Sequence, residues 1–399
     1  LARARDLDYR PLIAELRYAE AHCAEQLGDY EGAELALLDA MFTAEASGAE
    51  TTAAEAAIRM PFVVGYRRAR YDEAALWGEH ARALVYRRGD RDDELGRLDS
   101  ALATLSLVQG KPEEALERFD AALPRLKRAF GEAHVEIAAV LNNRGAAYAA
   151  LGRNDDLAAS LEASLAISGE VLGPDHPDNA LLLTNLGNLD YKLAKLDAAI
   201  EHHRRALDLK TRLLGSDHPD LAIFHNNLAG ALNRRGDLER AADHYRKAVA
   251  IREAALGPEH PDLANVLSNL GDTYVRLGDP TRGRPLIERA LAIREASQDP
   301  EHPMIAGVLT ALGRCDVAEG RPAAAVARLE RALALHEARP GAPELIGDTR
   351  LALAEALAAV DGDAARIAAL ADAAAADFTA TGPLYADELA RAEALRTRR

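Results

Sequence analysis

His134, His176, His218, His260 and His302 follow one another at intervals of 42 residues, and the same interval links Asn143, Asn185, Asn227 and Asn269. It also runs through Gly110, Gly152, Gly236, Gly278, Gly320 and Gly362, with Ala194 in the one slot that lacks glycine. A recurrence of this length means stacked supersecondary units, each burying its apolar face on the next. Such a chain grows by adding units, so its length of 399 residues does not translate into two or three separate globular cores.

Each unit reads as two amphipathic helices. In residues 218–257, Pro219 suits a first helical turn and Asp220 complements the positive end of the helix dipole. Leu221, Leu228 and Leu232 then recur at helical spacing. Gly236 supplies a left-handed stop, and Asp237 is placed to cap the second helix. The buried stripe of that helix is Ala241, Tyr245, Ala248, Val249 and Ile251. Small residues recur at Ala33, Ala75, Ala115, Ala199, Ala241 and Ala325, with Gly283 in one register, and on the first helices at Gly145, Gly187, Ala229, Gly271 and Gly313. They let paired helices approach closely. Counting this register gives about nine pairs. Leu157 and Ile367 replace the small residue, so those two pairs are expected to be splayed or less regular. The segment Pro383 to Thr397 reads as a capping helix carrying Leu384, Tyr385, Leu389 and Leu395.

The hydrophobic fraction of 49% is carried by alanine and aromatics make up only 5%, which suits close-packed helices and argues for an all-α chain. No apolar run reaches membrane-spanning length and no signal peptide is visible, so a cytoplasmic location is expected. Because the sequence begins at Leu1, it reads as a piece of a longer protein. Cys23 and Cys315 take the same internal position in their units, which predicts small core residues in a reducing compartment. The net charge of −16 makes nucleic acid or an anionic membrane a poor partner.

Catalytic motifs are missing. There is no phosphate-binding glycine loop, no kinase signature and no nucleophile elbow, so this chain is expected to be non-catalytic and without cofactors. The repeated histidines sit at helix boundaries on separate units, too far apart to converge on one metal ion, and read as capping residues. Adjacent His202 and His203 point to different helix sectors and read as surface or groove residues. Trp77, with Phe62, Tyr66 and Tyr71, reads as core.

The informative constellation lies on the first helices. Seven residues beyond the asparagine register come Lys192, Arg234 and Arg276, close to two turns away and so on nearly the same face. An asparagine amide both donates and accepts, which suits an extended peptide backbone. A basic stripe in an acidic protein suits acidic side chains or a terminal carboxylate. Asn226, Asn233 and Arg314 extend the same surface. The candidate peptide-binding residues are therefore Asn143, Asn185, Asn227, Asn269, Lys192, Arg234, Arg276, Asn226 and Arg314. The alternative is that the asparagines satisfy neighbouring backbone groups and the basic residues pair with adjacent Asp and Glu.

The segments GPDHPDNALLLTNLG from Gly173, GSDHPDLAIFHNNLA from Gly215 and GPEHPDLANVLSNLG from Gly257 resemble the kinesin light chain subclass of tetratricopeptide repeats. The resemblance implies a right-handed superhelical solenoid whose first helices line a concave, peptide-accepting groove, with Asn185, Asn227 and Asn269 facing the ligand. The stretches LDYRPLIAELRYAEAHCAEQLGDYEGAE and MPFVVGYRRARYDEAALWGEHARAL resemble the region preceding such repeats in large bacterial serine/threonine protein kinases. The expected organisation is a divergent N-terminal part (1–130), a regular array (131–340) and a divergent last pair with its cap (341–399). The expected function is a protein-interaction scaffold, the sensor or docking region of such a kinase. A sensor array of a signal-transduction ATPase or a protease is an alternative, as is a self-assembling homo-oligomeric array.

Overall fold

A computed structural model of the protein describes residues 9–396. Among these, nineteen α-helices follow one another without a strand. They are α1 (Arg10–Gln26), α2 (Tyr30–Ser47), α3 (Glu50–Met60), α4 (Tyr71–Arg87), α5 (Asp92–Val108), α6 (Pro112–Phe130), α7 (Val135–Ala150), α8 (Asn154–Leu172), α9 (Asn179–Lys192) and α10 (Leu196–Leu214). Then come α11 (Leu221–Arg235), α12 (Leu238–Leu256), α13 (Leu263–Arg276), α14 (Pro280–Ser297), α15 (Pro303–Ala318), α16 (Pro322–Ala338), α17 (Pro343–Ala358), α18 (Ala364–Thr381) and α19 (Ala386–Arg396). Consecutive helices form nine pairs, and α19 remains to cover the last. Thr397, at the end of the expected cap, lies outside the described residues. The chain divides into two compact units, residues 1–182 and 183–399.

Local chemistry sets each helix boundary. In all five histidine turns Nδ1 accepts from the backbone N–H two residues on, at 3.2 Å for Glu136, Asp220, Asp262 and Met304 and 3.3 Å for Asp178. One otherwise orphaned helix donor is satisfied each time. Helix stops use positive φ, +90° at Gly236 and +80° at Gly278, and Ala194 accepts +58° in the slot without glycine. In the last pair Asp361 takes this role at +52°, one residue ahead of Gly362. Asp237 makes no side-chain cap; its carboxylate is held by Arg235 and Arg240.

Within a pair, backbones meet at the small residues. A Cβ on Gly271 would fall 2.8 Å from the Gly283 carbonyl oxygen, and one on Gly283 2.6 Å from that of Gly271. Gly145 faces Leu157 and Leu161, Gly187 faces His203, and Gly313 faces Leu329. Leu157 is buried against this glycine and Ile367 is also buried. Neither pair is splayed, because the bulk added on one helix is absorbed opposite it or in the surrounding core. Second helices are joined to the next by exposed ion pairs such as Glu295–Arg331 and Glu330–Arg366, each adding little to stability, and by the half-buried pair Glu253–Arg289.

Two expectations fail in unit 1. Ala75 is exposed and the buried small residue is Ala74. The helix before it runs into a π-helical segment, Pro61–Arg67, which winds one extra residue per turn and shifts the register. Cys23 is exposed, unlike the buried Cys315. Cys315 lies against the Pro280 carbonyl of the preceding pair, and no preceding helix among the described residues covers α1 in that way. The aromatic group packs on the core through Phe62, Tyr71 and Trp77, while Tyr66 is 43% exposed and stacks on Phe62.

Gly271→Ala is expected to destabilise the protein by about 1–3 kcal/mol, because the clash is with backbone. Gly307→Ala, where a Cβ meets nothing within 4 Å, is expected to be neutral or stabilising by up to about 1 kcal/mol. Urea unfolding of both variants checks the pair.

Candidate groove of unit 2

The first helices α9, α11 and α13 and the second helices α10 and α12 surround a polar cavity of about 390 Å³. α9 contributes Asn188 and Tyr191, and α11 contributes Asn226, Asn227, Gly230, Asn233 and Arg234. α13 adds Asn269, Asp272 and Arg276, while His203 of α10 and Tyr245 of α12 form the floor. Spacings of three, four and seven within α11 and α13, and of three within α9, put these side chains on one face. The 42-residue repeat brings the faces of successive helices into step.

The structure gathers Asn226, Asn227, Asn269, Arg234 and Arg276 at this cavity. Asn143 lies in unit 1, where it accepts from Asn142 at 3.2 Å. Asn185 is half-buried beside the cavity lining, and Lys192 is exposed at the end of α9. Arg314 is drawn away by Asp348, with Asp272 at 3.5 Å. These two carboxylates hold its guanidinium protonated against the opposing effect of burial.

The asparagines differ in what they do. Asn233 donates to Thr273 Oγ1 at 2.6 Å and accepts from Arg276, so its amide ties α11 to α13. Asn226 donates weakly to Asn227 at 3.4 Å, while its buried Oδ1 has no partner among the described residues. Of the two cavity arginines, Arg276 is exposed and has no carboxylate partner among the described residues.

Arg234 is engaged from within the chain. Its guanidinium takes both carboxylate oxygens of Glu388, at 2.5 and 2.6 Å, and donates to the Leu384 carbonyl. Its Cζ also lies 4.9 Å from the Tyr385 ring centroid. Burial raises the Tyr385 phenol and also pushes the Glu388 carboxyl up, but the hydrogen bonds from Arg234 hold that carboxyl below its usual range.

His203 is buried at the floor of this cavity, which meets the groove side of the expectation and not the surface side. It occupies the core register of Leu161, Tyr245, Ile287 and Leu329, opposite Gly187. Burial, with a smaller contribution from His202, lowers its pKa to about 4. His202 instead pairs with Asp190 at 2.8 Å. His225 and His244, unremarked in the sequence, meet Nδ1 to Nδ1 at 2.9 Å, and burial lowers both, His225 to about 4. Tyr191, Asn188 and Asp272 were likewise missed, although Asn188, Gly230, Asp272 and Arg314 share one 42-residue register.

The tetratricopeptide repeat family profile matches five overlapping stretches, residues 94–156, 136–212, 191–254, 220–282 and 262–338, together more than half of the chain. The chain belongs to the tetratricopeptide repeat family. Among solved structures, BtubC (BKLC) from P. vanneervenii is 26% identical with a TM-score of 0.51, over 58% of this chain and 93% of that one. A putative kinesin light chain with nearly identical repeats from Podosopora anserina is 22% identical over 52% of this chain and 99% of its own, at a TM-score of 0.45. The signal-transduction ATPase with a tetratricopeptide repeat sensor from Pyrococcus horikoshii shares the fold at a TM-score of 0.57 and 12% identity. That match covers 88% of this chain and 52% of the ATPase. No curated protein sequence matches significantly. Among the described residues of this repeat protein, no helix is long and apolar enough to cross a membrane.

A histidine kept neutral by burial favours the unfolded state once protons become available, because the unfolded chain binds them near pH 6.5 and the native site only near pH 4. Stability is therefore expected to fall from pH 6.5 towards 4. His203→Leu, which places there the leucine found at Leu161 and Leu329, should reduce that slope by up to about 1.4 kcal/mol per pH unit. Thermal unfolding between pH 4.5 and 7.5 measures it.

Proposed function

We propose that the cavity face of α9, α11 and α13 is a docking groove for segments of partner proteins, and that the chain is the sensor or docking region of a larger signalling protein. The observation that carries this is the convergence of Asn226, Asn227, Asn269 and Arg276 on one polar cavity. Amides with acceptors to spare and a cation without a carboxylate suit a peptide backbone and an acidic side chain. Lys192 and Asn185 would extend the surface along α9. The family supports the reading, since tetratricopeptide arrays bind proteins. We take the effector to be a serine/threonine protein kinase of a bacterial cytoplasm, on the resemblance of residues 1–130. A signal-transduction ATPase would use the same groove, and the fold shared with the Pyrococcus horikoshii sensor suits it equally.

A photo-crosslinking amino acid at Asn269, in the native host, is expected to capture partner proteins. The same residue at Arg246, exposed on the second helix α12, is expected to capture none of them. Equal capture from both positions, or none from Asn269, contradicts the groove.

A further inference from the structure

The turn Pro383–Tyr385 and α19 do more than close the stack. Their apolar side has the contacts a cap requires: Tyr385, Leu389 and Leu395 pack around Leu351, Ala374, Phe378 and Ala392, and Tyr385 stacks on Phe378 at 5.7 Å between centroids. Arg391 adds an ion pair to Glu355 of α17 at 2.6 Å. Nothing in capping the last pair calls for contact with α11, three pairs earlier. Yet the bidentate grip on Glu388 is made there, by a residue 154 positions away in sequence. Both side chains are largely withdrawn from water, 18% exposed for Arg234 and 15% for Glu388. A fork of two parallel N–H···O bonds with an added main-chain carbonyl is how arginine reads a peptide carboxylate. The ring of Tyr385 over the same guanidinium adds a cation–π contact.

We infer that this segment is an in-cis ligand of the groove, and that the partner segment taken there presents the same pair on a helical turn: an aromatic ring and, three residues on, a carboxylate. The inference rests on the docking reading above and specifies its ligand. The basic register contains three cations, and the in-cis segment uses one. Arg276, in the adjoining open cavity, remains for a second acidic group that the chain's own segment does not supply. A partner carrying both carboxylates thus displaces the in-cis segment, and docking is coupled to release of α19.

The test uses a fluorescein-labelled peptide of residues 381–396 and the full chain. In the released chain, Tyr385→Ala, Glu388→Ala and Leu389→Ala detach the resident segment. Fluorescence anisotropy should show the peptide binding the released chain at least tenfold more tightly than the wild type. Adding Arg234→Glu to the released chain should abolish binding. Equal binding to released and wild-type chains overturns in-cis occupancy. Equal binding of a peptide carrying Tyr385→Ala and Glu388→Ala overturns the aromatic–carboxylate pair.

A second arm does not depend on the triple variant folding. A peptide with Glu388→Arg should bind the full chain carrying Arg234→Glu, and failure there counts against the inference. A concentration-dependent dimer dissolved by Arg234→Glu would make a second copy the occupant and overturn displacement by a partner. If Asn269 crosslinks partners while no peptide arm responds, the groove stands and the in-cis ligand falls. If both fail, both readings fall.

Discussion

In the pairs α7–α8, α9–α10, α13–α14 and α15–α16 the two helices approach until one meets a glycine on the other. At Gly271 and Gly283 the approach is backbone to backbone, with no room for a methyl group on either side. Where the second helix carries Leu157, His203 or Leu329, the first helix answers with Gly145, Gly187 or Gly313. This reciprocity fixes the rotation of each first helix. Because it returns every 42 residues, the side chains three, four and seven positions apart on α11 fall in step with those on α13. The groove is a by-product of that pairing geometry.

A chain with 64 acidic and 48 basic side chains can hold a cationic strip only if the strip is partnered or wet. Both solutions occur in unit 2. Arg314 is shared between Asp348 and Asp272, and Arg234 is closed by Glu388. Arg276 stays exposed, leaning on an asparagine oxygen. For the proposed docking of an acidic segment, the distinction between a paired and an available cation matters more than the number of cations.

Much of this was legible in the sequence. The interval gave the helix pairs, the histidine caps and the glycine stops, because each depends on residues within one unit. Where the interval breaks, reading failed: the π-helical turn after Pro61 moved the small residue from Ala75 to Ala74, and among the described residues no helix covers Cys23 as the preceding pair covers Cys315. His203 was read only as a surface or groove residue because it is polar, although its register is filled elsewhere by buried leucine, isoleucine and tyrosine. The Arg234–Glu388 contact left no periodic trace. Repeats report what a unit does with its neighbours, and this contact skips three of them. The apolar residues of the last segment did announce a cap; its acidic side gave no sign of a destination.

Hydrogen exchange read by mass spectrometry tests most directly whether the chain's last helix is held in its own groove. The amides of residues 386–396 should be protected in the wild type. In Arg234→Glu they should exchange faster, with α11 to α14 unchanged. An α19 that exchanges freely in the wild type, or keeps its protection when Arg234 is reversed, would contradict the account.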